Sequence, residues 1–507
     1  MKRTVSILLC LLLLIAPLSF ADEYAVFGGI KGDLTLKSGV YYYQEVSFVT
    51  GEPVILSGTV TIPTVPDKDT YTLAVKYSLA NEAAQATLER TVSFSVVKNS
   101  DNSMGQTIID TTLPVGALKE TIVVGTDTYN LTSYQYSKSV ISDGHPGISF
   151  DSGNIYYKKV FHINGDETNA EAKMTILGES QTDLGYKNQW STLNTQVMDV
   201  NYSYEMIGGE SASNWDGKVV LKYSTNKGTE FNYVLNDVQH ISFRGGLLKT
   251  ENSEVVLQYT YDMPGKDSTG ARSNVVRSKG EDNFNTYTFE TSTRLPVPKY
   301  NDLGGHWAQE ESFRMGSLEA FDTDTFFFPD TYVTREQFAR AIINTIDYMK
   351  PETEDQRREA VIRLTRPNAQ PLPFDDIKRE SLYYIYIERA YNEGLMLGEG
   401  NNQFLPTRPL TRAEAVTILI RAIGIQEIAP ALPYDTGFND DYEIPIWSKD
   451  AFYMARETGI VKGYPDGTIR PLQLMTRAEA AKMLSDFIDH LREDITVDYK
   501  EKLLHQY

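Results

Sequence analysis

The chain has 507 residues, a formal net charge of −20 and a single cysteine, Cys10. So large an acidic excess works against sequence-independent nucleic-acid binding, which depends on Lys and Arg neutralising phosphates. The length calls for several domains, each with its own core.

The first stretch reads as an export signal over residues 1–21. Lys2 and Arg3 give a positive start, Ile7 to Ile15 form an apolar run, and Ala16-Pro17-Leu18-Ser19-Phe20-Ala21 ends on small residues suited to a cut after Ala21. The apolar run falls short of the roughly 20 residues that a bilayer span needs. Removal of this signal takes Cys10 with it, leaving no disulfide, thiol nucleophile or thiolate-held metal. No later stretch is long and apolar enough to span a membrane, so no transmembrane segment is expected after signal removal.

Residues 22–297 are rich in Tyr, Thr, Ser, Val and Gly. Thr70 to Ser78, Thr91 to Val97, Lys218 to Tyr223, Phe231 to Leu235 and Val255 to Tyr261 alternate polar with apolar residues, the period of a strand with one buried face. Turn signals lie between them at Gly51-Glu52-Pro53, Pro66-Asp67, Gly208-Gly209 and Asp216-Gly217. The expectation is an antiparallel all-β region, either one large body or two sandwich-like domains, 22–125 and 126–297, meeting near Gly125. Its chemistry is sparse. His145, His162 and His240 are not at metal-ligand spacing, no Gly-x-Ser-x-Gly elbow occurs, and no carboxylate pair stands out. The expectation is therefore no catalytic residue, no metal and no cofactor.

Thr291 to Asp302, with Pro296 and Pro298, reads as a stiff linker. Beyond it the period changes. Arg335 to Met349, Leu382 to Asn392, Arg412 to Ile423 and Arg477 to Leu491 carry apolar residues three and four apart, the stripe of amphipathic helices.

Three units in this half can be set in register. They share Thr334-Arg335-Glu336-Gln337, Thr411-Arg412-Ala413-Glu414 and Thr476-Arg477-Ala478-Glu479, each a Thr-x-x-Glu/Gln capping box at a helix start. Each opens on an acidic residue followed by an aromatic: Asp302 with Trp307, Asp375 with Tyr384, and Asp440 with Trp447. Gly394 and Gly459 close the opening helices of the second and third units. The units span 298–349, 374–427 and 438–492, with a charged insert at 350–373 and a tail at 493–507.

The three units resemble the S-layer homology family. Gly459 to Pro471 with Met475 to Glu479 is close to that family's pattern, and Gly398 to Phe404 matches well. The first unit departs from it, lacking the turn glycines and carrying Glu336 for the usual alanine. The resemblance implies an all-α pseudo-trimeric bundle whose grooves hold a secondary cell-wall polymer, in many relatives one carrying a ketal-linked pyruvate. That group is a carboxylate on a sugar, which the two-pronged guanidinium of Arg335, Arg412 or Arg477 suits, at helix N-termini whose free N–H groups also favour an anion. On the same reading Asp302, Asp375 and Asp440 accept from sugar hydroxyls, Trp307 and Trp447 pack on ring faces, and Gly398 and Gly463 let the polymer approach the backbone. The expectation is a secreted, wall-anchored surface protein of a bacterium, with other S-layer or surface proteins as further partners. A wall-anchored polysaccharide hydrolase with its site in the β region is the alternative.

Overall fold

The computed structural model describes residues 28–34, 39–66, 68–101, 105–208, 214–234, 246–268, 270–288, 290–322, 325–348 and 372–494. The export signal, His240, nearly all of the charged insert and nearly all of the C-terminal tail lie outside them.

Period-two sequence becomes a single antiparallel meander. Its strands are β1 (Gly28–Leu34), β2 (Val40–Ser47), β3 (Val54–Thr61), β4 (Thr70–Asn81), β5 (Ala86–Asp101), β6 (Gln106–Thr112), β7 (Leu118–Val124) and β8 (Asp127–His145). They continue through β9 (Ile148–Ile163), β10 (Ala172–Asn188), β11 (Ser191–Met206), β12 (Trp215–Val234), β13 (Gly246–Lys266), β14 (Arg272–Tyr287) and β15 (Thr291–Leu295). Neighbours in sequence are neighbours in the sheet almost throughout, the exceptions being that β6 and β7 share the slot between β5 and β8 and that β15 pairs with β13. Strict alternation shows in β4, whose Tyr71, Leu73, Val75, Tyr77 and Leu79 all face inward.

The ladder passes through Gly125 without interruption: β7 pairs with β5 before that residue and with β8 after it. Both expected β domains therefore lie in one sheet over one core. Nor is it two sheets face to face. The sheet rolls until its first strand meets its last ones, so closely that a Cβ on Gly29 would stand 2.4 Å from Thr286 Oγ1 and 2.9 Å from Val255. Phe48, after β2, packs edge-on against Tyr259 of β13 at 5.3 Å across the interior.

The second half is helical. The helices are α1 (Gln309–Ser317), α2 (Arg335–Ile346), α3 (Tyr384–Asn392), α4 (Arg412–Ile423), α5 (Ile446–Glu457) and α6 (Arg477–Asp489). Capping boxes at Thr334, Thr411 and Thr476 start α2, α4 and α6. These three helices are almost wholly buried and form the centre. No helix among the described residues is long and apolar enough to cross a membrane.

The β body sits on the C-terminal ends of the central helices. Trp190 Nε1–H donates to Thr345 O at 2.8 Å, Gly147 N–H to Ala422 O at 2.7 Å, and Ser191 Oγ–H to Leu491 O at 2.6 Å. Carbonyls in the last turn of a helix lack an intrahelical donor, and here the β body supplies one to the last turns of α2 and α4 and one to Leu491 in the turn that follows α6. Close approach sets the residues: a Cβ on Gly424, the left-handed cap of α4, would enter the His145 ring. His145 is thus a packing residue of this joint. Trp190, Tyr186, Leu193 and Leu295 complete one core with the helices. Trp190→Ala is expected to cost about 3–5 kcal/mol and to split one cooperative denaturant transition into two, read by circular dichroism and tyrosine fluorescence; a single unshifted transition would mean the joint contributes little.

Candidate functional site

The far ends of α2, α4 and α6, about 18 Å from the β body at 1.5 Å per residue, are where the repeats interlock. Val333 N–H donates to Met475 O (3.0 Å), Met475 N–H to Leu410 O (2.9 Å), and Leu410 N–H to Val333 O (2.9 Å), closing a ring of three bonds. All three side chains are buried.

The same order carries into the helix starts. Arg335, Arg412 and Arg477 donate their N–H groups to Arg408, Gln473 and Thr331, and the next residues donate to Pro406, Pro471 and Pro329. The third N–H goes to the capping threonine. The expected free N–H groups at these termini are therefore consumed by the neighbouring repeat, leaving the helix dipole alone to favour an anion.

Each arginine side chain reaches into the turn of the next repeat, so every groove is built by two repeats. Arg335 lies over Phe404 (4.7 Å to the ring centre), Arg412 over Tyr464 (5.1 Å), and Arg477 over Phe327 (4.9 Å). Their partners differ. Arg335 is 4 % exposed and saturated, donating to Phe404 O, Leu397 O and Glu414 Oε1, with Glu399 Oε1 at 3.0 Å. Arg408 joins both glutamates and closes the network. Arg477 makes one bond, Nε–H to Phe327 O at 2.7 Å, and among the described residues no carboxylate pairs with it. Arg412 Nε–H finds no acceptor among the described residues. Burial pushes the Arg335 and Arg477 guanidiniums below their ordinary range, Glu414 and Glu399 working against this at Arg335 and Asp322 and Asp302 at Arg477.

The acidic residues are structural clasps. Asp302 takes the N–H groups of Phe327 and Phe328, and Asp440 those of Ile469 and Arg470, all at 2.7–2.8 Å. In the second repeat the clasp is Asp376, on Phe404 and Leu405, not its exposed neighbour Asp375. The second residue clasped is left-handed each time: Phe328, Leu405 and Arg470, at φ 55°, 56° and 52°. Two charge-assisted bonds hold a conformation that a residue with a Cβ disfavours. Each oxygen of these carboxylates accepts one of the two N–H groups.

Gly398 and Gly463 likewise make room for the protein: a Cβ there would stand 2.5 Å from Phe374 and 3.2 Å from Phe438. Trp307 and Trp447 are 61 % and 52 % exposed, open to a sugar face, whereas Tyr384 is core. Sequence reasoning missed Phe326, Phe328 and Tyr332, all about half exposed in Trp307's own repeat; the aromatic run Phe326-Phe327-Phe328 was the available signal.

A family model for the S-layer homology domain matches residues 373–416 and 437–481, the second and third repeats. Residues 373–416 and 437–481 are thus S-layer homology domains, and the chain is an extracellular protein of the cell surface that carries them. It is 24 % identical over 386 residues to an amylopullulanase of Thermoanaerobacterium thermosulfurigenes, covering 75 % of this chain and 19 % of that one. That match is longer than the helical half and takes in part of the β body. An exoglucanase XynX of Acetivibrio thermocellus matches at 29 % over 38 % of this chain and 16 % of its own. A surface layer protein of Brevibacillus choshinensis matches at 33 % over 19 % of this chain and 9 % of its own. The chain spans less than a fifth of the length of these relatives.

Asp376→Ala is expected to cost about 2–4 kcal/mol through two orphaned N–H groups while Asp375→Ala stays within about 0.5 kcal/mol, read by thermal unfolding; equal costs would refute the register. Burial works to raise the Asp302 carboxyl, but the N–H groups of Phe327 and Phe328 hold it below its ordinary value. A depressed pKa stabilises above the unfolded value of about 3.9 and the effect is lost as pH falls through the folded value. Asp302→Asn should therefore flatten the acid limb of the stability profile below about pH 4, measured by denaturant titration.

Proposed function

We propose that the three repeats form a pseudo-threefold body that anchors the chain non-covalently to a secondary cell-wall polymer, through two of its three grooves. The observation that carries this is the unequal state of three arginines in equivalent places. Arg412 and Arg477 carry guanidinium groups to which no described carboxylate is paired within ion-pair distance, although Arg477, at 6 % exposed, is buried nearly as deeply as Arg335. An acidic sugar, such as one bearing a pyruvate ketal, would supply the missing partner. In the groove of Arg335, Glu399 and Glu414 already occupy that place. Glu399 stands where the next repeat has Tyr464, six residues being counted from each preceding glycine, Gly398 or Gly463, to the clasped Phe404 or Ile469. Gly398 and Gly463 act by shaping the turns; Asp302, Asp376 and Asp440 position them.

The β body lies at the opposite helix ends, so anchoring leaves it facing away from the wall, as a structural or ligand-binding part. A hydrolytic role is the second reading, supported by the names of the amylopullulanase and exoglucanase relatives. Its best-placed residues are Asp151, whose carboxyl burial pushes up, and the nearby buried Asp183. Release of reducing sugar from wall polysaccharide or starch, lost in Asp151→Asn, would establish it.

For the anchor, the full chain is sedimented with isolated sacculi before and after extraction of the polymer. Arg412→Ala and Arg477→Ala are each expected to weaken binding at least about tenfold, the worth of one charge-assisted contact, and together to abolish it. Arg335→Ala should leave binding intact while costing about 3–5 kcal/mol of stability, because it strands buried carboxylates. Binding that survives extraction or the double substitution refutes the anchor reading.

A further inference from the structure

Among the described residues no ladder of hydrogen bonds closes the rolled sheet: β1 and β14 end the strand order, and only β13 pairs with β14. Two other parts of the β body approach β14 at its extremities. A Cβ on Gly29 of β1 would touch Thr286 near its C-terminal end. At its start Arg272 pairs with Glu52, in the turn between β2 and β3. Between these places, over residues 274–283, the outer backbone edge meets no described strand, and all but Ser278 and Gly280 are exposed.

The register with β13 fixes which way the side chains of this edge face. Gly280 and Asp282 lie opposite Tyr261 and Tyr259, both of which pack on Phe48 in the interior. Directly opposed residues share a face, so the even-numbered residues turn inward. Lys279 and Glu281, opposite Asp262 and Thr260, turn outward. The side-chain bonds run back into the sheet: Arg277 and Lys279 pair with Asp262, and Asp282 accepts from Tyr259 Oη.

An edge of N–H and C=O groups without a neighbouring strand is a template for another strand, and charges or proline commonly guard it. Residues 274–283 contain no proline. Their charge also changes sign at Gly280, with Arg277 and Lys279 before it and Glu281 and Asp282 after it. A strand so divided repels neither end of an antiparallel copy of itself. With a two-fold axis at Gly280, Lys279 opposes Glu281 of the second copy on the outer face, twice by symmetry. On the inner face Ser278 opposes Asp282 of the second copy, and Arg277 meets Asn283. An axis at Lys279 or at Glu281 would instead set like charges together. An axis between two residues would oppose an inward side chain to an outward one. One register remains.

We propose that residues 277–283 of β14 join two copies of this chain edge to edge, continuing the sheet antiparallel about a two-fold axis at Gly280. Lys279 is available for this contact. Its side chain is 69 % exposed, and Asp262, which it shares with Arg277, keeps the arginine when the lysine turns away. Glu281 is exposed and has no cation paired with it among the described residues. The edge belongs to the β body, so the pairing does not depend on the anchoring reading.

Sedimentation of the full chain over a range of concentrations tests this. A monomer–dimer equilibrium is expected, with the dimer as the largest species. Lys279→Glu and Glu281→Lys should each weaken the dimer about tenfold or more, because both symmetry-related pairs turn from attraction to repulsion. An equimolar mixture of the two variants should recover the original affinity, since every opposed pair then joins opposite charges again. Both positions are exposed, so thermal unfolding of the variants should match that of the parent chain. A chain that stays monomeric, a species that grows beyond the dimer, or a mixture no tighter than either variant alone would each overturn the proposal.

Discussion

Three backbone hydrogen bonds, from Val333 to Met475, Met475 to Leu410 and Leu410 to Val333, join the repeats in a closed ring. Each bond runs to a different repeat, so none of the three can be completed by a repeat alone. The ring fixes which turn faces which helix start, and so fixes that Arg335, Arg412 and Arg477 each enter the groove of the following repeat. Buried apolar side chains at all three positions keep water from competing for these bonds. Moving one repeat would break two ring bonds, four N–H bonds at two helix starts and two guanidinium stacks together.

From that ring the rest divides by helix polarity. One end of α2, α4 and α6 carries capping boxes and arginines; the other carries free carbonyls, and the β body covers it with donors from Trp190, Gly147 and Ser191. The arginine-bearing end and the β body are therefore held apart by the length of the central helices. Between equivalent grooves the difference is one of charge. Glu399 pairs with Arg335, whereas Tyr464 in the same place stacks on Arg412, to which no described carboxylate is paired.

Much of this was legible in the sequence. The three capping boxes are local, depending only on a threonine and a residue three positions later, and all three form. Alternation in Thr70 to Ser78 and Val255 to Tyr261 identified strands correctly, because period-two burial is also local. What alternation does not encode is which strands pair, and so it left one large body and two sandwich-like domains both open, where the strands form one rolled sheet with a fork at β5. Asp375 was chosen over Asp376 because two adjacent aspartates satisfy the same pattern; only the N–H groups of Phe404 and Leu405 distinguish them. The roles of Arg335 and Glu399 were out of reach for a related reason. They meet across a repeat boundary 64 residues apart, and spacing within one repeat says nothing about its neighbour.

The number of working grooves is the most exposed point of this picture, and calorimetry counts them. Soluble polymer fragments released from sacculi are titrated into the full chain, with heat recorded per mole of fragment. Two equivalents are expected, one each for the grooves of Arg412 and Arg477. Three equivalents would mean that Glu399 and Glu414 do not close the groove of Arg335, and none would mean that the repeats do not bind this polymer.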